Sequence, residues 1–468
     1  MFRRILIANR GEIACRIQRT CARLGIETVA VYSDADANAP HVRAATTAVR
    51  IGPPPVKDSY LDIAAVVRAA LDTHAEAIHP GYGLLSEKAA FARAVADAGL
   101  VFIGPPVAAL EAFGDKIQAR RVAREAGASP PPGTEGPIEV GDADALTAQA
   151  ERIGYPLLVK AAGGGGGIGM QIVEDPSKLV RAAQACSDRG KSAFGDARVY
   201  MERYVRSPKH IEVQVLCDSH GAGVALGERE CSLQRRHQKI IEESPSPAPF
   251  FQGEAGEARR RALLDSALAI VKRVGYTGAG TVEFVASPEG ELFFLEVNAR
   301  LQVEHCVTEM VTGIDLVEQQ LRVASGEHLA PEVLAPKRQG ASIEARVYAE
   351  NPLKMFAPQP GKLAVLEWPT SSSDLRIETG VEQGSEVTPY YDPMIAKVVA
   401  HGPTREAAIT RLVAALGATQ LELVGPAGPA ATNLDYLGKL LRDADVAAGT
   451  YDTSTAERFA KTLKAAAG

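Results

Sequence analysis

A run of five glycines separates two apolar segments of the sequence and is suited to binding phosphate. The first apolar segment, residues 155–160, ends in Lys160, and the second covers residues 170–173. Glycines lack Cβ atoms, so their backbone N–H groups can approach phosphate oxygens closely. No Lys-Ser or Lys-Thr pair follows, which excludes a Walker A loop. A flexible linker is the alternative, but we favour a lid that closes over a nucleotide, formed by Gly163, Gly164, Gly165, Gly166 and Gly167.

A second group of chemically capable residues lies in the segment 291–304. If this segment is extended, alternate side chains share one face, and the polar ones are Glu296, Asn298, Arg300, Gln302 and Glu304. The upstream strand 281–284 carries Glu283, and the turn-forming residues 287–290 predict a hairpin that brings Glu283 close to Glu296. Carboxylate and amide oxygens are the ligands that Mg²⁺ prefers. We therefore predict a magnesium site on this hairpin, with a solvated strand face as the alternative.

A third polar strand and a basic segment follow the glycine run. Alternation places His210, Glu212 and Gln214 on one strand face, although His210 alone is more simply read as a hydrogen-bonded structural histidine. Residues 234–239 read QRRHQK, a basic cluster in a chain of net charge −6. This cluster indicates an anion site, although in isolation it would be a solvated loop. We interpret Cys231 as a buried small residue rather than a nucleophile.

The elements that must position these residues fall into successive units. Strand-like segments at 5–8, 28–31, 77–79 and 101–103 alternate with helical stretches such as 12–24, which predicts a doubly wound parallel sheet. The first β–α turn lacks the GxGxxG pattern, so we do not expect a dinucleotide site. Strands dominate from about residue 206, with one helix at about 255–274. A further β-rich unit begins at about 336 and ends in a loop, 427–430, and two short helices.

Bulk properties limit the function classes. The chain of 468 residues is long enough for roughly three domains, and its net charge of −6 argues against nonspecific nucleic-acid binding. No apolar stretch approaches the length of a membrane span or a signal peptide. The six cysteines show no metal-binding or disulfide spacing. We expect a reduced, cytoplasmic enzyme without a membrane or nucleic-acid partner.

Several strings of the sequence resemble one enzyme family, biotin carboxylase, which has the ATP-grasp fold. They are ANRGEIA at 8–14, HPGYG at 79–83, ERECS at 228–232, QRRHQK at 234–239 and VEH at 303–305, and the match extends over nearly the whole chain. The resemblance implies an α/β fold, α+β overall. It implies an N-terminal Rossmann-like, doubly wound parallel-sheet domain (1–114), an ATP-grasp linker and small glycine-rich lid (115–204), an ATP-grasp catalytic domain (205–335) and a β-rich C-terminal domain (336–468).

The resemblance also implies a reaction and the residues that carry it. In this family ATP phosphorylates bicarbonate to carboxyphosphate, whose CO₂ carboxylates N1′ of biotin on a carrier. The implied catalytic residues are Glu304 as base, Arg346 for the biotin enolate, Arg300 and Lys239. The other implied sites are Glu283, Glu296 and Asn298 for Mg²⁺ or Mn²⁺; Arg300, Gln302, Val303 and Lys239 for bicarbonate; and Lys116, Lys160, the five glycines, Glu202, His210, Gln234 and His237 for ATP.

The partners follow from what the sequence contains. Leu353-Lys354-Met355 is the nearest approach to the Met-Lys-Met string of a biotinylation site, so we expect the biotin carboxyl carrier protein and the carboxyltransferase on other chains. The resemblance implies a homodimer. Two readings stay open beside it: another ATP-grasp ligase that acts through an acyl phosphate, and an inactive nucleotide-binding scaffold.

The final carboxyl acceptor stays open between an acyl-CoA and urea. Ile168 stands where acetyl-CoA carboxylases usually have Arg, and Cys306 stands where Pro is usual. The strings at 167–170 and 194–197 resemble urea carboxylase, whereas His237 follows the general pattern.

Overall fold

A parallel sheet occupies the N-terminal part of the chain in the computed structural model, which describes residues 1–163 and 169–467. Its strand order is β3-β2-β1-β4-β5, with every neighbouring pair parallel, and the predicted doubly wound sheet is confirmed. The β1 side chains of Ile5, Leu6 and Ile7 pack against helices on both sides and are fully buried, as expected for a covered parallel sheet. The elements are β1 (Arg4–Ile7), α1 (Gly11–Leu24), β2 (Glu27–Ser33), α2 (Pro40–Ala44), β3 (Thr47–Gly52), α3 (Ile63–Asp72), β4 (Ala77–His79), α4 (Ala89–Asp97), β5 (Val101–Phe102) and α5 (Val107–Gly114).

A small antiparallel sheet of order β7-β6-β8 follows. Its core joins Leu157 and Val159 to the helix residues Ala182 and Cys186. Of the predicted lid glycines, Gly163 lies just after the sheet's central strand, and Gly164 to Gly167 and Ile168 lie outside the described residues. The elements are α6 (Lys116–Glu125), α7 (Ala143–Ile153), β6 (Leu157–Ala161), β7 (Met170–Val173), α8 (Leu179–Phe194) and β8 (Val199–Arg203).

The central elements of the chain contribute five strands to a larger antiparallel sheet. The predicted hairpin is confirmed, since its two strands, β12 and β13, pair antiparallel around a turn at 287–290. The predicted helix at about 255–274 is also confirmed. The elements are β9 (Lys209–Cys217), β10 (Gly223–Arg235), β11 (Gln238–Ser244), α9 (Gly253–Lys272), β12 (Gly278–Ala286), β13 (Leu292–Asn298), α10 (His305–Thr312), α11 (Leu316–Ala324) and α12 (Pro331–Leu334).

The C-terminal part adds three strands to this sheet and forms a second, four-stranded one. The large sheet has the order β13-β12-β9-β10-β11-β14-β20-β18, and the second has β19-β17-β21-β22. The elements are β14 (Ala341–Tyr348), β15 (Glu350–Asn351), β16 (Ala357–Pro358), β17 (Gly361–Glu367), β18 (Leu375–Thr379), β19 (Glu386–Val387), β20 (Met394–Gly402), α13 (Arg405–Ala418), β21 (Gln420–Gly425), β22 (Gly428–Ala430), α14 (Leu434–Leu440), α15 (Ala444–Ala448) and α16 (Thr455–Ala467).

The structure corrects three local predictions. The extended segment predicted to reach Glu304 ends at Asn298, because the chain leaves the sheet there and enters α10 at residue 305. The predicted loop at 427–430 contains β22, which pairs with β21. Three helices follow it, α14, α15 and α16, instead of two. The mixed α/β fold class is confirmed, whereas the four domain boundaries stay predictions. Over residues 1–163 and 169–467, no helix has the length and apolar character needed to cross a membrane.

Candidate active site

A cavity of about 1130 Å³ lies where the parallel sheet, the small sheet and the large sheet meet. Gly163, the only described glycine of the predicted lid, is not among its lining residues. Every other described site residue predicted from the sequence lines it: Lys116, Lys160, Glu202, His210, Gln234, His237, Lys239, Glu283, Glu296, Asn298, Arg300, Gln302, Val303, Glu304 and Arg346.

Lys239 on β11 forms the centre of a buried charge cluster in this cavity. Its Nζ donates to Glu283 Oε1 at 2.9 Å and to Glu304 Oε1 at 2.6 Å, and it also contacts Glu212. Burial opposes the ammonium charge, but these three carboxylates raise the pKa of Lys239 well above the ordinary lysine value. Lys239 is therefore a fixed positive charge, suited to holding an anion.

Glu304 lies between Lys239 and Arg346. Arg346 Nη2 donates to Glu304 Oε2 at 2.9 Å, and Glu304 is only 2% exposed. Burial by itself raises the pKa of this carboxyl, but Lys239 and Arg346 lower it well below the ordinary value. Glu304 is therefore held as a carboxylate, which is the form that can accept a proton.

The predicted metal ligands lie on the β12–β13 hairpin. Glu283 pairs directly with Glu296, and Thr281 pairs with Asn298. Glu283 Oε2 lies 3.0 Å from His210 Nε2, whereas the Glu296 carboxylate contacts Lys116. Two carboxylates and an amide oxygen on neighbouring positions of one hairpin fit the ligand preference of Mg²⁺ or Mn²⁺.

The predicted bicarbonate residues follow this hairpin in a loop that distant residues hold in shape. Arg300 Nε donates to Glu87 Oε2 at 2.8 Å, and Gln302 Nε2 donates to Glu283 Oε1 at 2.9 Å. The carbonyl oxygen of Val303 accepts a hydrogen bond of 2.8 Å from Lys397 Nζ. The loop therefore presents a guanidinium and an amide beside the Lys239 cluster.

Sequence reasoning missed the residues that orient this site, namely Glu87, Arg229 and Lys397. Arg229 is fully buried and donates to Glu212 at 2.5 Å and to Gln302 Oε1 at 3.1 Å. For Lys397 an available signal was a single lysine within the apolar pattern of β20, since a buried charge requires partners. For Arg229 it was the run of three charged residues, 228–230, inside β10. No sequence signal could have identified those partners.

The predicted ATP-binding residues form two groups at the cavity wall. Lys160 Nζ donates to Glu202 Oε1 at 3.0 Å, and Arg120 Nη1 donates to Glu202 Oε2 at 2.6 Å, so the Glu202 carboxylate is held by two cations. Gln234 Nε2 lies 3.0 Å from His210 Nδ1. His237 lies on the turn between β10 and β11 with a φ of 63° and is exposed.

The structure agrees with the prediction that Cys231 is a buried residue rather than a nucleophile. It is fully buried, and burial raises its pKa well above the ordinary thiol value, which disfavours a nucleophilic role. Cys306, where the resemblance leads one to expect Pro, lies in the first turn of α10 with its Sγ 3.3 Å from Lys397 Nζ. All six cysteines lie in the described ranges, and none forms a disulfide there.

Comparison with known proteins agrees with this geometry. Residues 1–110 match the family "Biotin carboxylase, N-terminal domain", residues 115–332 match "Carbamoyl-phosphate synthase L chain, ATP binding domain", and residues 344–458 match "Biotin carboxylase C-terminal domain". Biotin carboxylase 2 of Bacillus subtilis is 49% identical over 416 residues, which cover 89% of this chain and 91% of that protein. The chain belongs to the biotin carboxylase family.

A solved biotin carboxylase domain and a longer carboxylase chain are also similar to this protein. The biotin carboxylase domain dimer of Hydrogenobacter thermophilus 2-oxoglutarate carboxylase, solved with MgADP, ADP and bicarbonate, has a TM-score of 0.91 and 40% identity, covering 98% of both chains. The propionyl-CoA carboxylase alpha chain of Ruegeria pomeroyi is 48% identical over 444 residues, which cover 91% of this chain. The present chain spans only 64% of that relative's length.

Proposed function

We propose that this chain is a ligase that carboxylates biotin on a carrier protein at the expense of ATP, with bicarbonate as the carbon source. The observation that carries the proposal is the buried arrangement of Lys239, Glu304 and Arg346. One carboxylate lies there between a fixed ammonium group and a fixed guanidinium. This arrangement supplies a base and two cations in a cavity that Lys116 and Lys160 also line.

In the first half of the proposed reaction, the chain binds ATP and bicarbonate side by side. Lys116 and Lys160 hold the phosphates, and Arg300, Gln302 and the Val303 backbone hold bicarbonate. Glu304 takes the bicarbonate proton, and the resulting oxyanion attacks the γ-phosphorus of ATP, so that ADP leaves and carboxyphosphate forms. Lys239 offsets the negative charge, because phosphoryl transfer depends mainly on positioning and charge neutralisation.

In the second half, carboxyphosphate breaks into CO₂ and phosphate, the released phosphate takes the N1′ proton of biotin, and N1′ then forms a bond to CO₂. Arg346 is proposed to stabilise the enolate oxygen of the biotin ureido group, since a guanidinium donates hydrogen bonds and stays charged at neutral pH. Glu283, Glu296 and Asn298 would hold Mg²⁺ or Mn²⁺. When bound, this ion neutralises charge on the transferring phosphoryl group.

The proposal extends to the partners and the location of the chain. We propose that the biotin carboxyl carrier protein and the carboxyltransferase are other chains or other segments, and that the final acceptor is an acyl-CoA. The name of the Ruegeria pomeroyi relative supports this choice of acceptor. The dimeric state of the Hydrogenobacter thermophilus domain supports a homodimer. The unpaired cysteines are consistent with a cytoplasmic location.

The direct test is release of phosphate from ATP by the purified chain, with bicarbonate and free biotin each added or omitted. We expect release to require bicarbonate and to be accelerated by biotin, with carboxybiotin formed in parallel. Another ATP-grasp ligase would instead respond to a carboxylic acid and an amine, and an inactive scaffold would bind ATP without cleaving it. Either result would overturn the proposal.

A further inference from the structure

A second carboxylate, Glu242, lies behind the Glu304–Arg346 pair. Glu242 is on β11, where it pairs directly with Glu344 of β14, and Arg346 lies two residues further along β14 on the same face. Both glutamates are fully buried. Arg346 Nη2 contacts Glu242 Oε1 while it donates to Glu304 Oε2 at 2.9 Å. One guanidinium nitrogen is therefore shared between two carboxylates.

The two carboxylates differ in how they relate to the cavity. Glu304 lines it, whereas Glu242 is absent from the described lining residues. Burial opposes the charge of Arg346, but Glu242, and to a smaller extent Glu304, raise its pKa well above the ordinary arginine value. Burial also raises the pKa of Glu242 to about 7, a rise that Arg346 opposes. Glu242 is therefore a buried partner of Arg346 that does not line the cavity itself, whereas Arg346 does.

The contact between Glu242 and Arg346 matters in the first half of the proposed reaction. When Glu304 accepts the bicarbonate proton it becomes neutral, and its attraction for Arg346 weakens. A buried guanidinium that loses its partner is strongly disfavoured, and it would move unless another carboxylate held it. Glu242 is in contact with the same nitrogen. Because the charge of Glu304 is one cause of the raised pKa of Glu242, loss of that charge favours the Glu242 carboxylate, which then holds Arg346.

We propose that Glu242 is a positioning residue that keeps the Arg346 guanidinium aligned for the biotin ureido oxygen while Glu304 changes its charge. This inference rests on the proposed biotin carboxylation. Without Glu242, Arg346 would pair with Glu304 alone and turn towards it. Biotin carboxylation would then fail more often than carboxyphosphate formation, and more carboxyphosphate would break down unproductively.

The test compares Glu242→Gln with Glu344→Gln in the full chain. Both variants remove one fully buried carboxylate from the same cross-strand pair. Of these two glutamates, Glu242 forms an ion pair with Arg346 and Glu344 does not. The readout is the ratio of carboxybiotin formed to phosphate released, measured with free biotin, together with the KM for biotin. A general loss of folded protein lowers both products equally and leaves this ratio unchanged.

We expect Glu242→Gln to lower the ratio by at least about tenfold, as misalignment of a substrate-orienting group does, and to raise the KM for biotin. Glu344→Gln should stay within about twofold of the unsubstituted chain, because it leaves the Arg346 contacts in place. An unchanged ratio in Glu242→Gln, or an equal fall in both variants, would overturn the proposal. If Glu242→Gln does not fold, Glu242→Asp serves in its place, since its shorter side chain keeps the charge but withdraws the carboxylate.

The unsubstituted chain in the same assay separates this inference from the proposed function. Absence of bicarbonate-dependent phosphate release there would refute biotin carboxylation itself. Normal release and carboxybiotin formation there, with an unchanged ratio in Glu242→Gln, would refute only the positioning role.

Discussion

Glu283 and Glu296 stand directly opposite each other on β12 and β13, yet each carboxylate meets a different lysine. Glu283 Oε1 accepts from Lys239 Nζ at 2.9 Å, and Glu296 contacts Lys116. Like charges directly opposite each other in a sheet repel, and the two lysines, together with the contact of Glu283 with His210, offset this repulsion. We propose that each of these carboxylates also serves as a ligand to a metal ion.

The first prediction concerns this hairpin. Glu283→Gln and Glu296→Gln should each lower kcat by at least about a hundredfold, because each removes charge stabilisation from phosphoryl transfer. The dependence of the rate on Mg²⁺ concentration should shift in both variants, while circular dichroism stays unchanged. Glu289→Gln, on the exposed turn of the same hairpin, is the matched control. A normal rate and Mg²⁺ dependence in Glu296→Gln would refute the metal assignment.

The second prediction separates the two halves of the reaction. Glu304→Ala should lose both phosphate release and carboxybiotin formation, because it removes the proposed base. Arg346→Ala should lose carboxybiotin formation but retain appreciable bicarbonate-dependent phosphate release, since an arginine cannot serve as a base at neutral pH. Phosphate and carboxybiotin are measured in parallel. Equal loss of phosphate release in the two variants would show that this division of roles is wrong.

The third prediction concerns the ATP-binding wall. Lys160→Gln should raise the KM for ATP roughly ten- to a hundredfold, the worth of one charge-assisted hydrogen bond to a phosphate. Arg120 remains beside Glu202 in this variant, so the buried carboxylate keeps one cation and the fold should persist. Lys178→Gln changes an exposed lysine of the same unit and should leave the KM unaltered. An unchanged KM in Lys160→Gln would count against its contact with phosphate.

The fourth prediction concerns acid stability and His79, which is fully buried at the end of β4. Its Nδ1 accepts a hydrogen bond of 3.0 Å from the Gly81 N–H, and burial lowers its pKa to about 3. Because the unfolded chain binds this proton near pH 6.5, the free energy of unfolding should fall as the pH drops from there towards 3.

His79→Asn tests that prediction by urea denaturation at several pH values. Asn can still accept from Gly81 but cannot be protonated, so stability should fall less steeply below pH 6.5 than in the unsubstituted chain. His74→Asn, which changes an exposed histidine after α3, should leave the slope as it is. Parallel slopes for His79→Asn and the unsubstituted chain would contradict the buried, neutral state of His79.

The local sequence pattern was enough to predict the β12–β13 hairpin and the N-terminal parallel sheet. Alternation and a turn at 287–290 predicted the β12–β13 hairpin and the encounter of Glu283 with Glu296, because strand pairing across a short turn involves only neighbouring residues. The apolar strands and helices of the first hundred residues likewise predicted a parallel sheet. The resemblance of short sequence strings to biotin carboxylase supplied the list of site residues. All of these residues that the structure describes, except Gly163, line one cavity.

Only the tertiary structure decided the shape of the site beyond Asn298. Alternation alone predicts a strand that continues to Glu304. Instead, Arg300 donates to Glu87, which is 213 positions away in the sequence, and the Val303 carbonyl accepts from Lys397, which is 94 positions away. Contacts of that kind depend on which sheets pack together. The partnership of Glu242 with Arg346 is hidden for the same reason, because a glutamate that alternates in a strand gives no sign of the charge it will meet across the sheet.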